Sequence, residues 1–178
     1  MKIDATDSQN RAAAYHEASH VVIACVLGLP IGSKGARIDS FANGQAWFWG
    51  ATEGVAVPPS KVEAVVIALF AGGTAHQIVG SFSQGAIAGD EWRIKDLLKA
   101  VCPNDELREE KYKRLKERSD DVVNEHWATI AVLAEALWAL PWVPRNVSRE
   151  LPKDKMLKGS EIATILAPLA VVIDEYME

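Results

Sequence analysis

The chain has 178 residues, 49% of them hydrophobic and 24% charged, with a net charge of −5. That length suits one buried core and is short for two ordinary domains, and the composition is that of a globular chain rather than a disordered one. An acidic balance argues against nucleic acid as a partner, because phosphate recognition needs a basic patch.

The first predicted element is a helix from Ser8 to Gly28, with Ser8 as N-cap and Gly28-Leu29-Pro30 as the stop. From Ile31 to Val57 glycines punctuate short segments such as Ala36-Arg-Ile-Asp and Gln45-Ala-Trp-Phe-Trp, and Asn43-Gly44 signals a tight turn. This stretch is expected to be a small antiparallel sheet. Pro58-Pro59-Ser60 precedes a second helix, Lys61 to Val79, whose Ala71-Gly-Gly-Thr-Ala stretch predicts a close helix approach and a central place in the fold. Gly80 to Ala88 reads as a loop, and a third helix is expected from Gly89 or Asp90 to Val101.

Pro103-Asn104-Asp105 opens a long helical region whose buried side is Val122, Ile130, Leu133, Leu137 and Leu140. Its basic residues between Arg108 and Arg118 alternate with Glu109, Glu110 and Glu117, the pattern of a solvated face. Pro141 to Lys158, with three prolines, reads as a loop, and Gly159-Ser160-Glu161 starts a last helix through Ile165. The whole is expected to be one mainly helical α+β domain: a first helix at about 8–30, a sheet at 31–57 and a helical part at 60–178.

The acidic N-terminus is unlike a signal peptide, and the apolar runs at Val21–Leu29, Val65–Ala71 and Ala163–Ile173 fall short of the roughly twenty residues that span a bilayer. Two cysteines without CxxC spacing, Cys25 and Cys102, fit a reducing compartment. A cytoplasmic location without a membrane partner is the expectation.

Chemistry concentrates in Tyr15-His-Glu-Ala-Ser-His-Val, an HExxH motif inside the first predicted helix. A four-residue separation places His16 and His20 on one helix face, one turn apart, where both imidazoles reach one metal ion. Zinc held by three protein ligands keeps a fourth position for water and lowers its pKa to about 7. Glu17 is placed to take that water's proton and pass it to a leaving amine. The chain has only four histidines, so the pattern seldom arises by chance. For the third ligand the residues leave Asp90, Glu91, His76 and Glu53 open. The motif that adds a third histidine six residues after the second is excluded, since Val26 stands there.

In this order of motifs the sequence resembles the M41 peptidases, the zinc peptidase domains of the membrane-bound, ATP-dependent FtsH proteases. His16-Glu-Ala-Ser-His20 stands where that family has HEAGH, Ala71-Gly-Gly-Thr-Ala-His-Gln-Ile resembles its GGRAAEE-like stretch, and Gly85-Ala-Ile-Ala-Gly-Asp90 its Gly-rich loop and Asp ligand. The later segments Asn124-Glu-His-Trp-Ala-Thr-Ile and Gly159-Ser-Glu-Ile look like the family's C-terminal helices, so the likeness runs from about Arg11 to Ile165. It implies a Zn2+ cofactor on His16, His20 and Asp90, Glu17 as catalytic residue, and substrates bound as extended strands along an edge of the small sheet.

Three departures qualify it. Ser19 replaces the glycine of HEAGH, His76-Gln77 replaces a glutamate pair, and no P-loop, ATPase module or membrane anchor accompanies the domain. The expected activity is therefore ATP-independent cleavage of unfolded or extended polypeptide, with or without a separate substrate-delivering partner. The alternatives are a catalytically silent metal-binding adaptor or regulatory module and a hydrolase of non-peptide amides. Trp47, Phe48 and Trp49 are read as sheet packing, His76 as a packing residue, and His126 and Trp127 as structural; oligomeric state is not legible.

Overall fold

The computed structural model describes residues 5–52, 54–80, 84–144 and 152–177. Helix α1 (Asp7–Val26) begins one residue before the expected cap, and its N-cap is Thr6 rather than Ser8. Gln9 explains the shift: its side-chain oxygen accepts from the Thr6 backbone N–H at 2.9 Å, while Thr6 Oγ1 accepts from the Gln9 backbone N–H. Such a capping box satisfies two otherwise orphaned donors. At the other end Gly28 turns left-handed (φ 68°), Gly28 N–H bonds the Cys25 carbonyl and Leu29 N–H bonds the Ala24 carbonyl, a Schellman stop. Between these ends the helix is buried on most sides, from Ala12–Ala14 through His16–Ala24.

Strand β1 (Ile31–Asp39) leads through a turn into β2 (Gly44–Phe48). The turn differs from the Asn43-Gly44 expectation. The left-handed residue is Ala42 (φ 58°), and the loop is held by Asp39, whose Oδ1 accepts from the backbone N–H groups of Phe41 and Asn43 at 2.9 and 3.0 Å. Gly44 instead opens β2.

Helix α2 (Pro59–Ile78) follows the expected bounds closely and packs on α1 along its length. Helix α3 (Gln84–Val101) starts earlier than predicted, so part of the expected Gly80–Ala88 loop is its first turns, and Asp90 lies in the second turn instead of opening the helix. The Gly and Ser content of that segment suggested a loop, yet the chain is helical from Gln84 onward.

The long helical region is two helices, α4 (Asp105–Glu125) and α5 (Trp127–Ala139), parted at His126 (φ −102°, ψ 14°). The break lets α5 lie against α1. There Trp127 stacks on Tyr15 with ring centroids 5.3 Å apart, and the Tyr15 hydroxyl donates to Glu135. Val122, Ile130, Leu133 and Leu137 are buried as the periodicity predicts, whereas Leu140 is half-buried.

Pro141–Lys158, expected to be a loop, contributes β3 (Val143–Pro144) and β4 (Lys153–Leu157). Three charges in Lys153-Asp-Lys hid the strand. Lys155 is nonetheless buried, because its stem carries the ammonium over two indole faces, 3.9 Å from the Trp138 centroid and 4.6 Å from that of Trp142, where it donates to the Trp138 carbonyl. Helix α6 (Gly159–Ile165) forms as expected, and β5 (Ile173–Asp174) runs parallel to β1.

The sheet order is β2-β1-β4-β3, with the β1–β2, β1–β4 and β3–β4 pairs antiparallel. Ile31, Ala36, Ile38, Phe48 and Leu157 join the helices in one core. The architecture is mainly helical α+β, with β2 at an edge of the sheet beside α1. Among the described residues no helix is long and apolar enough to cross a membrane. Cys25 and Cys102 are not bonded to each other.

Candidate metal centre

His16 and His20 project from the middle of α1, one turn apart, with their rings edge to face and centroids 4.6 Å apart. Both are almost fully buried, at 4% and 3% exposure. The His20 Nδ1 lies 2.7 Å from the Ala68 carbonyl of α2, an oxygen that only accepts, so Nδ1 carries a hydrogen and, in the neutral imidazole, Nε2 is the nitrogen with the lone pair. Phe48 of β2 stacks on the same ring at 5.9 Å.

Asp90 of α3 completes the group. Its Oδ2 lies 3.1 Å from His16 Nε2 and 3.2 Å from His20 Nε2, and the two nitrogens are 2.9 Å apart. Ligands on a tetrahedral zinc with bonds near 2.0–2.1 Å stand about 3.3 Å from one another, so this triangle is already close to the required size. His16, His20 and Asp90 form a group that can hold a metal ion.

Glycines bring the surrounding backbone this close. A Cβ on Gly72 of α2 would lie 2.6 Å from His16 Cε1, His16 Nε2 and His20 Nε2. A Cβ on Gly44 of β2 would lie 2.2 Å from Glu17 Oε1. The first glycine allows α2 to back the imidazoles; the second sets the edge strand directly against the Glu17 carboxyl. Sequence reasoning assigned Gly44 to a turn and read the Gly72 stretch as helix packing and as part of the family likeness, with no contact to the histidines assigned to it. The signal for a site role was the pair of glycines inside an otherwise apolar helix.

A cleft of about 360 Å³ opens over the group, lined by His16, Glu17, His20, Gln45, Thr52 and Asp90 among others. In the metal-free protein, burial holds the His16 pKa down to about 4, with His20 adding to it. Burial also opposes charge on His20, but Asp90 and Glu17 outweigh it and lift that imidazole to about 9. For Asp90 burial is again the largest single influence, yet His20 and His16 together hold the carboxyl well below the usual range. Glu17, 5% exposed, is pushed up to about 8 chiefly by burial.

The other candidates for third ligand separate from the group. The Glu91 carboxylate accepts from the Tyr112 hydroxyl at 2.9 Å and pairs with Lys95 at 3.1 Å. His76 lies edge-on to His16 with centroids 4.9 Å apart and is not part of the group that can hold a metal ion. Glu53 lies outside the described residues. Of the aromatic run, Phe48 is core, while Trp47 and Trp49 are half-buried and Trp47 packs under the Arg37 guanidinium.

No protein-family model matches the chain, and no curated protein matches it.

Proposed function

We infer that the chain is a zinc-dependent endopeptidase acting on unfolded or extended polypeptide segments, with His16, His20 and Asp90 as metal ligands and Glu17 as general base and acid. The observation that carries this reading is the convergence of His16 Nε2, His20 Nε2 and Asp90 Oδ2 within 3.2 Å of one another in a cleft that Glu17 also lines. Two imidazoles and one carboxylate with a further position open are a donor set that catalytic zinc uses, whereas structural zinc sites close all four positions with protein ligands.

Bound there, zinc would supply a Lewis acid and a water with its pKa lowered to about 7. The chain's own groups supply the rest. Ala68 fixes the His20 tautomer through Nδ1, leaving Nε2 as ligand atom. Glu17 accepts a proton from the attacking water at its carboxylate and delivers it to the leaving amine.

Substrate geometry follows from the sheet. β2 is an edge strand, and Gly44 places it against Glu17, so a polypeptide added along that edge through main-chain hydrogen bonds would run past the proton carrier. Such pairing tolerates many sequences but requires an extended chain, which a separate partner would have to deliver from folded proteins. The choice of a peptide over another amide is supported by the likeness in motif order to the M41 domains.

The test is cleavage of casein by the zinc-loaded chain, with Glu17→Gln as control. Cleavage by wild type and none by the variant, at equal zinc content, supports the assignment. Zinc uptake without cleavage by wild type on casein or on extended peptides reduces the protein to a metal-binding module.

A further inference from the structure

A buried arginine stands one turn beyond the third ligand. Arg93 lies three residues after Asp90 on α3, hence on a neighbouring part of the same helix face. Its side chain is 6% exposed. Arginine remains protonated in proteins, so an arginine this deeply buried must have its donors satisfied. Here Nε and Nη2 donate to the Gly50 carbonyl at 3.2 and 3.1 Å, Nη2 also donates to the Val55 carbonyl at 2.8 Å, and Nη1 meets the Asp96 carboxylate at 2.9 Å.

Those carbonyls belong to the chain leaving β2. Gly50 is left-handed (φ 87°), and a Cβ there would lie 2.7 Å from Val65 Cγ2 of α2, so this carbonyl position depends on glycine. Between the two acceptors run Ala51 and Thr52, which line the metal cleft together with Arg93 itself. Helix α3 otherwise packs on α2 and α4. The guanidinium is thus a hydrogen-bonded tie between the helix that carries the third ligand and the segment that forms the cleft wall.

We propose that Arg93 is the positioning residue of the metal centre: its fork on the Gly50 and Val55 carbonyls fixes the turn of α3 that holds Asp90 against the two imidazoles, and sets the Ala51–Thr52 wall of the cleft. With its donors committed to carbonyls and to Asp96, the guanidinium acts through Asp90 and the wall rather than on substrate. The proposal rests on the reading of His16, His20 and Asp90 as metal ligands.

The experiment compares wild type, Arg93→Met, Arg93→Lys and Ser119→Ala, all as the full chain. Ser119 donates to the Ile67 carbonyl between α4 and α2, so its loss destabilises a helix contact that is no part of the metal group. Zinc affinity is measured by chelator competition, and the cobalt-loaded proteins are compared by their visible absorption. Arg93→Met is expected to weaken zinc binding at least tenfold and to alter the cobalt spectrum. Arg93→Lys is expected to do the same to a smaller degree, because an ammonium cannot span both carbonyls, and Ser119→Ala is expected to stay within twofold of wild type with an unchanged spectrum.

If Arg93→Met does not fold, Arg93→Lys carries the comparison. Affinities within twofold and unchanged spectra for the Arg93 variants would overturn the positioning role while leaving the metal centre intact. Failure of wild type to take up either metal would instead overturn the metal centre, and the proposal with it.

Discussion

Gly72→Ala gives a test in which two effects of known sign oppose each other. In a free helix interior, alanine in place of glycine is favourable by about 1 kcal/mol. At Gly72 the new methyl would lie 2.6 Å from three ring atoms of His16 and His20, about 0.8 Å inside the 3.4 Å at which ordinary van der Waals contact begins. Both rings are buried, and His20 is further held by Ala68 and Phe48, so either the imidazoles or α2 must move. Overpacking of this kind costs about 1–3 kcal/mol, which exceeds the propensity gain over most of that range.

Gly73 provides the control within the same helix. Among the described residues its added methyl would meet only Ile87 Cγ2, at 3.6 Å, an ordinary contact. Urea unfolding of the metal-free proteins should show Gly72→Ala destabilised, by up to about 2 kcal/mol net, and Gly73→Ala neutral or stabilised by up to about 1 kcal/mol. Zinc competition should show affinity lost at position 72 and kept at position 73. A Gly72→Ala protein at least as stable as wild type with unchanged zinc affinity would refute the close packing of α2 on the ligands.

Three further outcomes follow from the same geometry. Gly44→Ala, whose new methyl would lie nearest the Glu17 carboxyl, should keep zinc and lose at least tenfold in casein cleavage; equal loss of both would show that Gly44 acts on the metal group itself. Because Asp90 and Glu17 outweigh burial to lift the metal-free His20 to about 9, zinc must displace a proton at neutral pH, so affinity should fall as pH falls and calorimetry in buffers of different ionisation enthalpy should register proton release. Binding without released protons at pH 7 would contradict the assigned charge state. The Cys25 thiol, pushed up to about 12 by burial, should react with a disulfide reagent at pH 8 on the order of a thousandfold more slowly than an unstructured thiol, measured in a Cys102→Ser background; reaction at the free-thiol rate would show that the site is open.

Much of the site was legible because its parts are local. His16 and His20 share a helix face through a fixed four-residue period, and Asp90 follows a Gly-rich segment at a separation that the family likeness singled out. What was hidden depends on contacts between distant segments. Gly44 looked like a turn residue because its role is set by a carboxyl 27 positions earlier in the chain, and Arg93 gave no signal of its tie across the cleft because the Gly50 and Val55 carbonyls are not encoded in any side-chain pattern, while Asp96 three residues on reads as an ordinary helix ion pair.

The fold divides the same way. The amphipathic and apolar helices were readable from periodicity, but the break at His126 depends on α5 docking against α1, and the charges of β4 masked a strand whose central lysine is buried over indoles. The start of α1 slipped because Gln9 makes Thr6 a better cap than Ser8.

The central claim is that one metal ion sits on His16, His20 and Asp90, and X-ray absorption of the zinc-loaded chain tests it most directly. One zinc per chain with only nitrogen and oxygen neighbours near 2.0–2.1 Å, including two imidazoles, is the predicted result, together with loss of that signal in Asp90→Ala and its retention in Glu91→Ala. Sulfur neighbours near 2.3 Å, or an unchanged signal in Asp90→Ala, would contradict the account.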